Sequence, residues 1–96
     1  MELLHIDNNS GRAFYLGYEL KLSAKEFTVL STIACGGGEV IDTEYLYREL
    51  FSESGNKSIK NVAVYVCNIN RKARIIGGRT LIEFSRSDGY RISKSL

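Results

Sequence analysis

SIKNVAVYVCNINRKA, residues Ser58 to Ala73, reads as one helix with two chemically different faces. Ile59, Val62, Val66, Ile69 and Ala73 recur at alternating spacings of three and four, the period that aligns side chains along one side of a helix. Lys60, Asn61, Val64, Tyr65, Asn68, Arg71 and Lys72 fall on the other side, which is basic, rich in amides and free of acid. Solvated helix faces ordinarily mix acids with bases, so this composition suits a polyanion as well as water. Asn61, Asn68, Asn70 and the valines are mediocre helix formers. Packing on a core therefore has to hold the segment in place.

Ninety-six residues with 44% hydrophobic content match one small domain with a single core. The expected division over residues 1–96 is N-terminal strands in 1–22, a three-helix core in 23–74 and a hairpin in 79–93. Net charge is +2, but residues 1–56 carry four Lys or Arg against nine Asp or Glu, and residues 57–96 carry nine against two, a split of −5 and +7. Such polarity predicts that one face meets an anion. A membrane surface is the weaker candidate, because no strongly apolar amphipathic helix accompanies the charge. No run of eighteen apolar residues and no signal-peptide pattern is present, so the expected location is cytoplasmic, with no membrane partner. Cys35 and Cys67 have no Cys or His at ligand spacing; no metal or other cofactor is expected, and both thiols are expected reduced and partly buried, with a single long-range disulfide as the weaker alternative.

Upstream of the opening stretch, Leu3 to Ile6, Arg12 to Leu16 and Tyr18 to Leu22 read as short antiparallel strands split by DNNSG and Gly17. His5, the only histidine, reads as a strand side chain. Ser23 and Glu26 have capping-box spacing and start a helix that runs to about Cys35, with Phe27, Leu30, Ile33 and Ala34 as its buried face. Gly36 to Gly38 end it; they lack the Lys-Ser/Thr of a phosphate-cradling loop and follow a helix where such a loop follows a strand. Glu39 to Ile41 form a short strand or an extended link, and Asp42 caps a second helix over Thr43 to Leu50, with Leu46 and Leu50 facing the core. Downstream, Thr80 to Ser85 and Tyr90 to Ser93 alternate as a hairpin bearing Arg79, Arg86 and Arg91.

Strands, helix, helix, loop, helix and hairpin form an α+β winged helix-turn-helix order, in which the second helix of the motif enters the major groove and a hairpin reaches the backbone or the minor groove. Four segments carry a closer resemblance: LSAKEFTVLSTIA, VIDTEYLYRELF, NVAVYVCNINRK and LIEFSRSDGYRIS. They resemble the C-terminal winged-helix output domain of OmpR/PhoB-type two-component response regulators, nearly end to end. That resemblance implies a four-stranded N-terminal sheet on a trihelical core, a base-reading third helix and a wing arginine in the minor groove. It also implies transcription regulation within a two-component phosphorelay, usually under an N-terminal receiver that 96 residues of this kind do not include.

Matched position by position, Lys60 stands where a base-reading basic residue is typical, Asn61 suits phosphate, Tyr65 replaces a usual histidine and Arg86 matches the wing arginine. Departures are Ala63 for an acid, Cys67, Asn68 and Asn70 for arginines, and Ser87 for the first glycine of the wing turn. The DNA-binding set expected on this basis is Lys57, Lys60, Asn61, Val64, Tyr65, Asn68, Arg71, Lys72 and Arg86. Lys60 can bond guanine acceptors, the amides can pair with adenine or hold phosphate, and Val64 either touches a thymine methyl or belongs to the core. Lys72, Arg74 and Arg79 are expected to neutralise phosphates, while Arg91 supports the hairpin.

Double-stranded DNA is therefore the expected partner. The resemblance further implies RNA polymerase contact through the loop Phe51 to Lys57, and weak pairing of two copies on tandem half-sites. The alternative is a winged-helix protein-interaction module without specific DNA binding. An enzyme is not expected: no catalytic set is spaced for the work, and Asp7, Asp42 and Asp88 lie in turns or caps.

Overall fold

The computed structural model describes residues 4–51, 60–85 and 89–93. In chain order these form β1 (Leu4–Asp7), β2 (Arg12–Tyr15), β3 (Tyr18–Leu20), α1 (Ala24–Ala34), β4 (Ile41–Asp42), α2 (Thr43–Phe51), α3 (Lys60–Gly77), β5 (Ile82–Ser85) and β6 (Gly89–Ile92). The opening stretch is thus a helix that runs four residues further than its apolar stripe predicted, to Gly77. Gly78, at φ 74°, ends it by donating its N–H to Arg74 O at 2.9 Å, a left-handed cap that residues with a Cβ adopt at a cost.

β1, β2 and β3 pair antiparallel in that order, with Leu4 opposite Tyr15 and Tyr15 opposite Tyr18. The two-residue turn between β2 and β3 holds Leu16 at φ 53° and Gly17 at φ 84°, the paired positive values of a turn whose twist matches its strands. Asp7 shapes the first turn: its carboxylate accepts from Asn9 N at 3.0 Å and from Ser10 Oγ at 2.8 Å. Three strands are described where the family resemblance implied four. Ala13, Tyr15 and Leu20 turn inward and are buried.

α1 begins as its sequence predicts. Ser23 Oγ accepts from Glu26 N at 3.2 Å, and the Glu26 carboxylate accepts from Ser23 N at 3.0 Å, so two donors at the helix start are satisfied reciprocally. The buried face differs from the expected one. Val29, Leu30 and Ile33 are fully buried and Glu26 lies with them, while Phe27 and Ala34 are half-buried. Glu26 can lie on the buried side because Lys72 of α3 meets its carboxylate there. Beyond Cys35 the glycines continue as turns, Gly37 and Gly38 at positive φ. Asp42 caps α2 by accepting from Glu44 N at 2.9 Å, and Leu46 is fully buried; the side chain of Leu50 lies outside the described residues.

Of the segment expected as a short strand or an extended link, Glu39 and Val40 are link, and Ile41 joins Asp42 as β4. It pairs with β6, Ile41 opposite Tyr90 and Asp42 opposite Gly89, so the wing hairpin becomes the three-stranded sheet β4-β6-β5. Gly89 permits this approach: a Cβ there would stand 2.5 Å from Ile41 O. Leu81, Ile82 and Tyr90 root the wing in the core formed with Val29, Leu30, Ile33, Leu46, Val62 and Ile69. α1 and α3 cross over this core and α2 closes it, giving the winged helix-turn-helix arrangement with an N-terminal antiparallel sheet.

Candidate nucleic-acid interface

Val62, Val66, Ile69 and Ala73 hold α3 to the core and are buried, three of them completely. Their spacing leaves Ala63, Val64, Cys67, Arg71, Arg74 and Ile75 on the exposed side, Val64 at 54% and Ile75 at 80% exposure. Between Lys60 and Gly77 every charged residue is basic. The exposed side thus presents cations and small apolar groups without a carboxylate.

The residues flanking the buried stripe fasten α3 in two places. Asn70, half-buried, accepts from Leu81 N at 3.0 Å and Ile82 N at 2.9 Å through Oδ1 and donates Nδ2 to Ile82 O at 3.0 Å. One amide side chain thereby replaces a missing strand neighbour and pins the start of the wing to α3. Lys72 makes the second attachment. Its Nζ donates to Glu26 Oε1 at 2.8 Å and to Lys21 O at 2.7 Å, joining α3 to the start of α1. Burial alone would raise the Glu26 pKa, but hydrogen bonds from Lys72, from Ser23 N and from Asn68, with the Lys72 charge, hold it below the ordinary 4.5.

These contacts locate the residues selected from the sequence. Arg71 is exposed and donates to Asn68 Oδ1 at 3.3 Å. Val64 is exposed, which settles the choice between surface and core in favour of the surface. Tyr65 and Asn68 are half-buried on the flank, Tyr65 against the core and Asn68 between Arg71 and Glu26. Lys72 lies on the flank too, its ammonium committed to Glu26 rather than turned outward. Lys60 and Asn61 open α3, with side chains outside the described residues; Lys57, Arg86, the loop to Lys57 and Ile59 also lie outside them.

In the wing, Glu83 accepts from Arg91 Nε at 3.2 Å and from Ser93 Oγ at 3.1 Å, so Arg91 braces the hairpin as its sequence position suggested. Phe84 and Tyr90 meet edge to face with centroids 5.3 Å apart. Both cysteines are free and exposed; the expectation of partial burial fails because Cys35 caps the end of α1 beyond its last turn and Cys67 lies away from the buried stripe of α3. No cluster of three metal-ligating side chains occurs among the described residues, and none of their helices is long and apolar enough to cross a membrane. Open clefts of 510 and 490 Å³ lie around Cys35, and α3 contributes no described residue to either.

Sequence reading missed Asn70 as a fastener and took it only for a lost arginine. The available signal was its phase: it sits one position from buried Ile69, at the stripe's edge, where an amide needs partners.

Comparison with known proteins agrees with this arrangement. The family described as transcriptional regulatory protein, C terminal, matches residues 17–92. The transcriptional activator protein PfeR of Pseudomonas aeruginosa is 28% identical over 91% of this chain and 29% of its own length. The transcriptional regulatory protein CutR of Streptomyces coelicolor is 30% identical over 93% of this chain and 40% of its own length. The chain therefore spans well under half of these relatives. The DNA-binding domain of the response regulator AdeR, solved in complex with an intercistronic region, shares the fold with a TM-score of 0.82 at 17% identity, over 97% of this chain and 95% of that one.

Proposed function

We propose, because the chain belongs to the family of C-terminal domains of transcriptional regulatory proteins, that it binds double-stranded DNA sequence-specifically as the output domain of a transcription regulator. The family is one of regulatory domains, not of enzymes. One observation carries the reading: α3 presents an acid-free exposed side bearing Arg71 and Arg74, while Asn70 and Lys72 fix that side relative to the wing and to α1. Rigid placement matters because base contacts discriminate only when donors and acceptors are held in register with the groove.

In this reading α3 lies in the major groove. Lys60 and Asn61, at its first turn, reach base edges or phosphate; Val64, Tyr65 and Asn68 lie further along; Lys57 and Arg71 meet phosphates; and Arg86 enters the adjacent minor groove. Lys72 contributes by holding α3 on Glu26. The loop Phe51 to Lys57 is polar and suits a contact with RNA polymerase, and two copies would pair weakly on tandem half-sites. A bacterial cytoplasm, a two-component phosphorelay and a single domain over 1–96 accord with the family, with two exposed free thiols and with this role.

The test is fluorescence anisotropy against duplexes selected from a random pool. Lys60→Ala with Arg86→Ala is expected to weaken binding at least about tenfold, since each lost base or phosphate contact is worth roughly 1–3 kcal/mol. The unfolding midpoint should not move. Unchanged affinity would overturn the assignment.

A further inference from the structure

We propose that Asn68 makes no base contact of its own and instead positions Arg71, holding the guanidinium in line for a DNA phosphate. The inference rests on the DNA-binding reading above and gives Asn68 a partner inside the protein in place of one on the duplex. Asn68 is half-buried on the flank of α3, three residues before Arg71, a spacing that makes the two side chains neighbours. Arg71 donates to Asn68 Oδ1 at 3.3 Å, and Asn68 also hydrogen-bonds the Glu26 carboxylate. A carboxylate only accepts, so Asn68 turns Nδ2 to Glu26 and Oδ1 to Arg71. Both ends of the amide are thereby engaged within the protein, whereas a bidentate contact to adenine needs both ends free.

The anchor at the far end is firm. Glu26 is buried, accepts from Ser23 N at 3.0 Å at the start of α1 and meets Lys72 Nζ at 2.8 Å. One carboxylate thus treats two neighbouring cations differently. It holds the Lys72 ammonium inward by direct pairing, while its contact with Arg71 runs through a neutral amide. Direct pairing would set a carboxylate against phosphate in competition for the guanidinium. The amide restrains the side chain without neutralising it, and Arg71 spends one N–H of its fork and keeps the others for an anion. Exposed and with no acid on its own helix, Arg71 meets DNA with part of its rotamer freedom already surrendered.

The experiment is a double-mutant cycle on the full chain, with affinity for the selected duplex measured at several salt concentrations and the unfolding midpoint recorded for each variant. Asn68→Ala is expected to weaken binding about fivefold, the worth of immobilising one long side chain, with the salt slope unchanged because the charge remains. In the Arg71→Ala background the same change is expected to cost nothing. Asn68→Ser, polar but too short to span both partners, should repeat both results. Equal losses with and without Arg71 would show that Asn68 touches DNA itself, and no loss in either background would show that Arg71 needs no strut. Each of these outcomes overturns the inference while leaving DNA binding intact. Failure to bind any duplex would overturn both readings.

Discussion

Replacing Asn70 by alanine removes three hydrogen bonds at once and leaves the N–H groups of Leu81 and Ile82, at 0% and 3% exposure, without partners. Orphaned buried donors cost more than the bonds themselves yield, so the expected loss of stability is about 2–3 kcal/mol by urea denaturation. Asn70→Asp keeps the acceptor for both donors but sets a carboxylate against Ile82 O, and should fall between the two. Glu26 acts at the same scale through pH. Its folded pKa is depressed, so its contribution to stability is complete above the unfolded value near 4.5 and is lost as pH falls through the lower folded value. Glu26→Gln should flatten that acid limb of the stability profile and leave a protein that is less stable at neutral pH, a comparison that denaturation at pH 3 and pH 7 makes directly.

At the scale of elements, Gly89 decides whether β4 joins the wing. A Cβ placed there meets a main-chain oxygen, Ile41 O, which cannot swing aside as a flexible side chain would. Gly89→Ala is expected to cost about 1–3 kcal/mol and to speed amide exchange across the Ile41 to Tyr90 pairing before it affects α1. Unaltered exchange at Ile41 and Tyr90 would count against the pairing as a structural tie. The wing is held at both ends of its approach, to α2 through β4 and to α3 through Asn70. A wing so fastened keeps a set position relative to α3.

Across the whole molecule, the split of −5 and +7 between residues 1–56 and 57–96 sets which cations remain available to an anion. Lys72 sits in the basic half, yet its ammonium faces Glu26 from the acidic half. Arg71 and Arg74 have no carboxylate partner on their own helix. Arg71→Ala is accordingly expected to reduce the slope of log affinity against log salt by about 0.9, while Lys72→Ala leaves the slope within error and lowers stability instead. Equal slope changes for both variants would show that the Glu26 pair opens on DNA.

Local chemistry was legible in the residues alone. The capping box at Ser23, the glycine stop after Cys35, the stripe of α3 and the order of elements all depend on neighbours within a turn or two, so they follow from residue order without knowledge of packing. Tertiary structure alone decided the partners: Lys72 to Glu26 across 46 positions, Asn70 to Leu81 and Ile82, and Ile41 to Tyr90. It also exposed both thiols and half-buried Tyr65. The reason is physical. Periodicity fixes which side of an element is apolar, but a polar residue on the flank finds its partner only once two elements are packed, and their rotation about their own axes is set by the whole core.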